Sequence, residues 1–289
     1  MNNSSFADKA KSLPLYLLPH HALSRAMLAI TRIRAPWFKN HFIQIFSQIF
    51  AINWDEPLRN RPEDFEHFNA FFTRALKPEV RPLDSNSDSI ISPADGRISQ
   101  MGSIQLDAMV QAKGFDFTTN ALLGGNKQLA NEFEDGRFTT IYLSPRDYHR
   151  LHMPISGRLL ETIYVPGRLF SVAPHTTRTI PGLFARNERL VAIFETEHGK
   201  MALVLVGAIF VAAIETVWAG LVTPPHGSDI IRTDYRHQNI HLDRGEEMGR
   251  FNMGSTIIVL FQNDRIDWLD NLEADAAVKM GEKIAMPAK

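Results

Sequence analysis

Three short segments contain the residue types that can activate a hydroxyl group. The first, Gly254-Ser255-Thr256, places a serine after a flexible glycine and before the apolar run Ile257 to Phe261. Glycine permits unusual backbone torsions, so the Ser255 hydroxyl could attack the preceding carbonyl and cut the chain. Elimination of the Ser255 side chain would then leave a pyruvoyl group, a ketone cofactor made from the chain itself. Alone, the same residues are also typical of an ordinary turn before a buried strand.

The second segment holds two histidines three positions apart, His149 and His152, after the turn 144–147. Histidine titrates near neutral pH and suits the role of a base or an acid. Histidines at this spacing can bind a metal on a helix. Here the flanking residues indicate a turn and a strand, in which the two side chains would point to opposite faces. Because no third ligand stands at a characteristic spacing, no metal is predicted.

The third segment is Ser92-Pro93-Ala94-Asp95-Gly96. An aspartate before glycine usually satisfies its own backbone in a turn. The functional interpretation is an aspartate that orients a histidine, because aspartate, histidine and serine form a triad in any chain order. The residue types leave both interpretations open.

Composition limits the class of protein. The chain has 289 residues, 44% of them hydrophobic, which is enough for a full core and one or two domains. There is no cysteine, which excludes disulfides, thiolate catalysis and cysteine metal sites. The net charge is −1, yet residues 1–50 contain six Lys/Arg and one acidic residue. No apolar run reaches the ~18 residues that suggest a spanning helix.

The N-terminal region predicts amphipathic helices that lie on a membrane. One helical face would consist of Phe38, Phe42, Ile45, Phe46 and Ile49, and a second of Leu23, Met27, Ile30 and Ile33. A basic, aromatic-bearing helix pair of this kind can lie among lipid headgroups. The alternative is a helical subdomain packed on the core, and the positive charge favours the membrane. Residues 61–77 predict a further helix whose apolar side would comprise Phe65, Phe68, Phe71 and Phe72.

From Ile90 onward, short apolar segments punctuated by Gly and Pro predict strands. They are Arg137 to Leu143, Arg158 to Val165, Leu190 to Glu195, Met201 to Val206, Ile209 to Thr216 and Thr256 to Phe261. The predicted fold class is therefore α+β, with N-terminal amphipathic helices followed by a mainly antiparallel β barrel or sandwich-like core. We expect residues 1–80 to form a helical membrane-docking region and residues 81–289 to form the β-rich catalytic core.

A weak internal repeat suggests that the core contains a duplicated β motif. Residues 92–98 (SPADGRI) resemble residues 153–159 (MPISGRL), and residues 244–249 loosely resemble residues 280–285. Because Pro-x-x-Gly is common turn chemistry, chance similarity is the other interpretation.

Taken together, the motifs resemble those of bacterial phosphatidylserine decarboxylases, in order over roughly residues 13–285. The similarity rests on Pro-Ala-Asp95-Gly, on Tyr142 to Pro154 and on Gly245-x-Glu247-x-Gly249-x-Phe251-x-x-Gly254-Ser255-Thr256. Further matching stretches are Phe68-Asn69-x-Phe71-Phe72-x-Arg74, Tyr164 to Val172, Leu183 to Arg189 and Ile214 to Gly220. Met253 stands where many members have leucine, a mild exchange. The segments 173–176 and 225–242 match less well, and nothing is carried onto them.

The resemblance implies a self-processing proenzyme. Asp95 would hold His152, and His152 would take the proton from Ser255, which attacks the Gly254 carbonyl. The products would be a β chain ending at Gly254 and an α chain of residues 255–289, which begins with the pyruvoyl cofactor. These two chains would form a heterodimer that could dimerise further.

The resemblance also implies the reaction. The pyruvoyl group would form a Schiff base with the amine of phosphatidylserine and accept the electrons as carbon dioxide leaves, giving phosphatidylethanolamine. His149 would return a proton to the headgroup carbon. Phe170, Ser171 and Val172 would line the headgroup pocket. The enzyme would be a peripheral protein on the cytoplasmic face of the inner membrane, bound to anionic lipid, with no nucleic-acid partner.

Other functions stay open at the level of sequence. One is a soluble pyruvoyl decarboxylase for a small amino acid, against which the basic, apolar N-terminus argues. A serine hydrolase lacks the expected Gly-x-Ser-x-Gly elbow at Ser255. A membrane-bound β domain without catalysis would remain uncut.

Overall fold

The computed structural model of the chain describes residues 5–112, 115–210, 213–224, 226–252 and 256–288. Helices at the N-terminus are followed by antiparallel sheets, which confirms the predicted α+β class. Within these described ranges no sheet closes into a barrel. Gly254 and Ser255, to which the cleavage prediction refers, lie outside the described residues.

The α-helices of the described residues are α1 (Phe6–Ser12), α2 (His20–Thr31), α3 (Pro36–Ile49), α4 (Phe68–Phe72), α5 (Thr119–Leu122), α6 (Lys127–Asn131), α7 (Pro174–Thr177) and α8 (Leu183–Arg186). Short 3₁₀ turns span Leu13–Tyr16, Pro62–Asp64 and Pro78–Val80.

The strands of the described residues are β1 (Ile90–Ile91), β2 (Gly96–Ser103), β3 (Ala108–Ala112), β4 (Phe115–Thr118), β5 (Arg137–Tyr142), β6 (Arg150–His152), β7 (Gly157–Val165), β8 (Arg189–Thr196), β9 (Gly199–Val206), β10 (Ile214–Thr216), β11 (Gly220–Leu221), β12 (Ile231–Asp234), β13 (His241–Leu242), β14 (Glu247–Phe251), β15 (Thr256–Phe261), β16 (Ile266–Trp268), β17 (Ala277–Val278) and β18 (Lys283–Pro287).

The main sheet has the order β12-β7-β8-β9-β15-β5-β2-β17, and β13 also pairs with β7. Strand β15 lies in its middle, and all six of its residues are buried. Ile257, Val259 and Phe261 pack into one apolar cluster, while Ile258 and Leu260 pack into another on the opposite face. A strand that is covered on both faces has a continuous run of apolar residues. The run in the sequence therefore marks the strand, and β15 has the predicted bounds, Thr256 to Phe261.

The smaller sheets position the site. One has the order β11-β10-β14-β6, and another has the order β1-β18-β16. Strand β14 ends at Phe251, and its partner β6 contains His152 and directly follows His149. The four-stranded sheet therefore brings segments that are about 100 residues apart in sequence into contact.

The two copies of the sequence repeat make the same hydrogen bonds. In one copy Ser92 N donates to Glu282 O at 2.8 Å, and Met280 N donates to Asp95 Oδ1 at 2.9 Å. In the other, Met153 N donates to Glu246 O at 2.9 Å, and Arg244 N donates to Ser156 Oγ at 2.9 Å. Gly281 and Gly245 occupy corresponding left-handed positions, with φ of 90° and 82°. This shared pattern supports the duplicated motif and places Asp95 where its copy has serine.

The predicted apolar face of helix α3 divides in the structure. Phe42 stacks on Phe68 with ring centroids 4.1 Å apart, and Phe46 is buried. Ile45 and Ile49 are instead 55% and 69% exposed. One side of α3 therefore packs inside the helical region while its neighbour faces outward. Among the described residues, no helix combines the length and apolar character needed to cross a bilayer.

The helix predicted over residues 61–77 is wrong in extent. Only the five residues of α4 are helical, after the 3₁₀ turn at Pro62–Asp64. The His67 side chain accepts a hydrogen bond from Ala70 N and caps α4, which fixes a late start. Phe65, Phe68, Phe71 and Phe72 are all buried in the N-terminal apolar cluster. These rings hold the helical region together and are not available to contact lipid.

Candidate active site

A closed turn after β5 directs the histidine segment into the interior. Ser144 N and Ser144 Oγ both donate to Asp147 Oδ2 at 2.7 Å, and Asp147 N donates to Ser144 O at 2.9 Å. Burial raises the pKa of Asp147, although the Ser144 donors oppose this shift. The turn reverses the chain so that Tyr148 and His149 come to lie beside the strand that they follow.

His149 is completely buried and uncharged. Its ring stacks on Phe72 with centroids 4.1 Å apart, and Nε2 lies 3.1 Å from Ser144 O. A carbonyl oxygen only accepts, so Nε2 carries the proton, and Nδ1 is a bare acceptor with no partner among the described residues. Burial, and next the positive charge of Arg74, lowers the pKa of His149 to about 3. The imidazole is therefore neutral at physiological pH in this arrangement.

His152 presents a nitrogen suited to a general base. Nδ1 lies 2.8 Å from Gly245 O, so it donates there and Nε2 carries the lone pair. The Tyr148 hydroxyl, 3.1 Å away, donates to this Nε2. Burial lowers the pKa of His152, and the Gly245 carbonyl partly opposes this shift. A neutral imidazole with the proton on Nδ1 is the form that can remove a hydroxyl proton.

Asp95 makes its hydrogen bonds with other groups than His152. Arg81 Nε donates to both Asp95 oxygens at 2.8 and 3.1 Å, and Arg81 Nη2 donates at 2.5 Å. The loop is nevertheless adjacent, because His152 N donates to Pro93 O at 2.9 Å. The negative charge of Asp95 raises the pKa of His152 as a minor contribution. The triad of Asp95, His152 and Ser255 stays a prediction.

The residues that flank the proposed cleavage position are anchored to the histidine segment. Phe251 N donates to His149 O at 3.0 Å, at the end of β14. Thr256, the first residue of β15, pairs with Tyr142 on β5 and with Val206 on β9. The chain therefore leaves β14 beside His149 and is next described in β15, which pairs with the strand β5 that leads into the turn 144–147.

A cavity of about 680 Å³ lies beside the Asp95 segment and the turn 144–147. Its lining includes Asp95, Tyr142, Asp147, Tyr148 and Arg74. Burial raises the pKa of Tyr148 to about 12, so its hydroxyl keeps its proton and continues to donate. The cavity is large enough for a lipid headgroup and contains carboxylate, phenol and guanidinium groups.

The predicted pocket residues Phe170, Ser171 and Val172 divide between the core and a cavity. Phe170 is fully buried and lies against Tyr16, with ring centroids 5.1 Å apart. Ser171 and Val172 line a mainly apolar cavity of about 210 Å³, and Val172 also lines the larger one. Of the three, Ser171 and Val172 are therefore placed where they could contact a ligand.

The sequence interpretation assigned no role to two buried arginines. Arg81 holds Asp95, and Arg74 lines the cavity and lowers the pKa of His149 through its charge. The only signal was the position of Arg74 two residues after the aromatic run Phe68 to Phe72, within a motif of the resemblance. Nothing in the sequence marks Arg81, because its partner comes from a different turn.

The residues present fit a covalent ketone at position 255. Thr256 Oγ1 and His149 Nδ1 are buried and have no partner among the described residues. Buried polar atoms normally have hydrogen-bond partners, so the Thr256 hydroxyl remains able to donate to a carbonyl group at the adjacent position 255, and His149 Nδ1 remains able to accept from a donor on a bound molecule. His149 and His152 each bind a backbone carbonyl through one nitrogen and do not converge as metal ligands. A group that could hold a metal, His21, Glu188 and His226, lies outside the cavity lining.

The fold and the site define a β-rich protein in which two buried histidines, His149 and His152, lie beside strand β14, which ends at Phe251. The family model for phosphatidylserine decarboxylase matches residues 68–286, and a second model, described as PSD, matches residues 10–51. The chain belongs to the phosphatidylserine decarboxylase family.

Relatives match over nearly the whole chain. The protein of Alkalilimnicola ehrlichii is 58% identical over 259 residues, which is 89% of this chain and 90% of the relative. The protein of Pseudomonas entomophila is 53% identical over 276 residues, covering 95% and 96%. That of Azotobacter vinelandii is 51% identical over 280 residues, covering 96% and 98%. Each relative is named a phosphatidylserine decarboxylase proenzyme.

Proposed function

We propose that this protein is a self-processing enzyme that decarboxylates phosphatidylserine to phosphatidylethanolamine with a pyruvoyl group derived from Ser255. Family membership over most of the chain supports the reaction, and the relatives' designation as proenzymes supports processing. The single observation that carries the proposal is the arrangement of His152. Its Nδ1 donates to Gly245 O, so Nε2 carries the lone pair, and its strand β6 pairs with β14, which ends at Phe251.

Self-cleavage would use the base form of His152. Its Nδ1 proton is fixed by Gly245 O, so Nε2 can accept the Ser255 hydroxyl proton as that oxygen attacks the Gly254 carbonyl. Asp95 stabilises the resulting imidazolium through its negative charge, whose effect on His152 has the required sign. The chain would then consist of residues 1–254 and residues 255–289, which together retain the β14 and β15 flanks of the break.

Decarboxylation would use the residues around the cavity. The pyruvoyl group, when present, supplies a carbonyl that accepts the electrons of the departing carboxylate. His149 is the proposed proton donor to the headgroup carbon, and its side chain is fully buried. Its imidazole is neutral in the described arrangement, so it must gain a proton when an anionic headgroup enters and raises its pKa. Ser171 and Val172 would contact the headgroup from the apolar side.

The helical region, residues 1–80, would hold the enzyme on the cytoplasmic face of the inner membrane. Trp37, Ile45 and Ile49 of α3 are exposed together with Phe6 and Leu17. Exposed apolar side chains beside a net positive segment suit an anionic lipid surface. We expect the protein to float with phosphatidylglycerol vesicles, and a Trp37→Glu, Ile49→Glu double variant to remain in the soluble fraction.

Intact-mass measurement tests the function most directly. The wild-type chain should give two fragments, the smaller with a blocked N-terminus that borohydride reduces, and should release carbon dioxide from phosphatidylserine. Ser255→Ala and His152→Ala should remain one chain. His149→Ala should be cut and yet turn over roughly 10²–10⁴-fold more slowly, the usual contribution of a general acid.

Other results would contradict the proposal. An uncut wild-type chain, or a small fragment with a free N-terminal serine, would exclude pyruvoyl formation. An uncut His149→Ala together with a cut His152→Ala would reverse the two histidine roles.

A further inference from the structure

Arg74 is a buried cation with unused hydrogen-bond donors. The residue is only 4% exposed, and its Nη2 donates to Arg146 O at 3.1 Å. Nε and Nη1 are buried and find no acceptor among the described residues. The guanidinium also lies over the Phe71 ring, 5.4 Å from its centroid. Because an unpaired buried charge is costly, such a group calls for an anionic ligand.

Arg74 remains charged despite its burial. Desolvation lowers the pKa of Arg74 to about 10, which still leaves the guanidinium protonated at neutral pH. No carboxylate of the described residues lies within ion-pair distance of it. Its charge is felt at His149, where it is the second cause of the lowered pKa. The cation therefore acts on the site that we propose for catalysis.

Two cavities meet at Arg74. One is the 680 Å³ cavity that contains Asp95 and Tyr148. The other, of about 540 Å³, reaches Asn252, the last described residue before position 253. Its charged lining consists of Arg32, Arg34, Arg59, Arg74, Arg150, Arg250, Glu66 and Glu215. Glu247, outside this lining, also pairs with Arg150 and Arg250. Six cations therefore face three anions, and the remaining positive charge favours an anion near the cleavage segment.

We propose that Arg74 binds the phosphodiester of the phospholipid headgroup through its unused N–H donors. This inference rests on the proposed function, because it concerns the same substrate. Guanidinium groups suit phosphate oxygens, which accept strong charge-assisted hydrogen bonds. Arg74 follows α4, and the buried rings of that helix hold it in place before any ligand arrives.

The chemistry of the reaction favours the phosphodiester over the carboxylate of the same headgroup. The carboxylate loses its charge as carbon dioxide leaves, so a cation bound to it would stabilise the ground state more than the transition state. The phosphodiester keeps its charge throughout. A cation on the phosphodiester can therefore hold substrate and product without opposing the reaction.

The experiment compares Arg74→Gln and Arg74→Lys with the mature wild-type enzyme. Self-cleavage is first checked by intact mass, and folding by circular dichroism. The pyruvoyl group is then reduced with borohydride, so that binding can be measured by calorimetry without turnover. The probe is dihexanoyl phosphatidylethanolamine, which has the phosphodiester but no carboxylate. Inorganic phosphate is the comparison ligand.

We expect Arg74→Gln to be cut normally and to bind the probe roughly 10- to 100-fold more weakly, the loss typical for a hydrogen bond between charged groups. In the unreduced enzyme, KM for dihexanoyl phosphatidylserine should rise by a similar factor, and Arg74→Lys should recover part of it. Arg265→Gln is the matched control. Arg265 is exposed and lines neither of the two cavities, so its loss should change binding less than threefold.

Three results would overturn the inference. Unchanged affinity for the phosphatidylethanolamine probe with weakened phosphatidylserine binding would assign Arg74 to the carboxylate. An uncut but folded Arg74→Gln chain would assign it to the cleavage segment. Equal wild-type affinity for inorganic phosphate would indicate a general anion site. If instead the wild-type chain is uncut or releases no carbon dioxide, the proposed function itself fails, whatever Arg74 does.

Discussion

Replacing Arg81 with methionine should destabilise the protein strongly, because it leaves the Asp95 carboxylate buried without its cation. The two side chains are 6% and 8% exposed and share three contacts of 2.5 to 3.1 Å. After the change, Met280 N still donates to Asp95 Oδ1 at 2.9 Å. Breaking a buried ion pair on one side typically costs about 3–5 kcal/mol of the free energy of unfolding. We expect a loss in that range.

The assay is urea unfolding of the uncut Ser255→Ala chain, followed by tryptophan fluorescence. Asp95→Asn and the double variant Asp95→Asn, Arg81→Met complete the cycle. The double variant leaves no unpaired charge between positions 81 and 95, although Glu56, whose side chain is 25% exposed, loses its 3.0 Å ion pair with Arg81 as it does in the single Arg81→Met variant. The double variant should therefore be about 2 kcal/mol more stable than the sum of the single changes predicts. Arg158→Met is the control, because the Arg158–Glu195 pair is half exposed and should contribute less than about 1 kcal/mol.

The reasoning would be refuted by an Arg81→Met variant that loses no more than the Arg158→Met control. Additive effects in the double variant would also contradict it, since they would show that the two side chains do not depend on each other. In either case Asp95 would not be fixed by Arg81, and its position beside His152 would need another cause.

Two further variants test the histidine environments. Tyr148→Phe removes the hydroxyl that occupies Nε2 of His152, so self-cleavage in cell-free synthesis should be faster by up to about tenfold, the equivalent of a neutral hydrogen bond; loss of cleavage would instead show that Tyr148 transfers the proton. His149→Gln tests the lowered pKa of His149: the unfolded state binds the proton more tightly, so the wild-type chain loses stability as pH falls from about 6.5 towards 3. Between pH 6.5 and 5 the Gln variant should lose about 2 kcal/mol less free energy of unfolding than the wild-type chain in urea titrations, and equal losses would contradict the assignment.

The strands were predictable where burial on both faces requires a continuous run of apolar residues. Strand β15 coincides with its predicted range, and β5 and β9 differ by one or two residues. The helix predicted over 61–77 failed because apolar spacing there reflects a ring cluster, whose members reach the core from a turn and a single helical turn. Aromatic spacing alone does not distinguish these two arrangements.

The candidate site was predictable in its residue types but not in its contacts. The short motifs picked out Asp95, His149 and His152, and the structure places all three around one end of the main sheet. The sequence could not show that Arg81 donates to Asp95 or that the Tyr148 hydroxyl donates to Nε2 of His152. It also gave Arg74 no role, since an arginine in an aromatic segment is usually read as a solvated neighbour.

The sequence by itself determined the α+β class, the repeat and the residues able to do the chemistry, because these depend on local pattern and residue type. Tertiary structure alone decided which nitrogen of each histidine carries the proton. Those protons are set by Ser144 O and Gly245 O. Gly245 lies 93 positions from His152, and no local pattern can reveal a hydrogen bond that forms only when two distant turns meet.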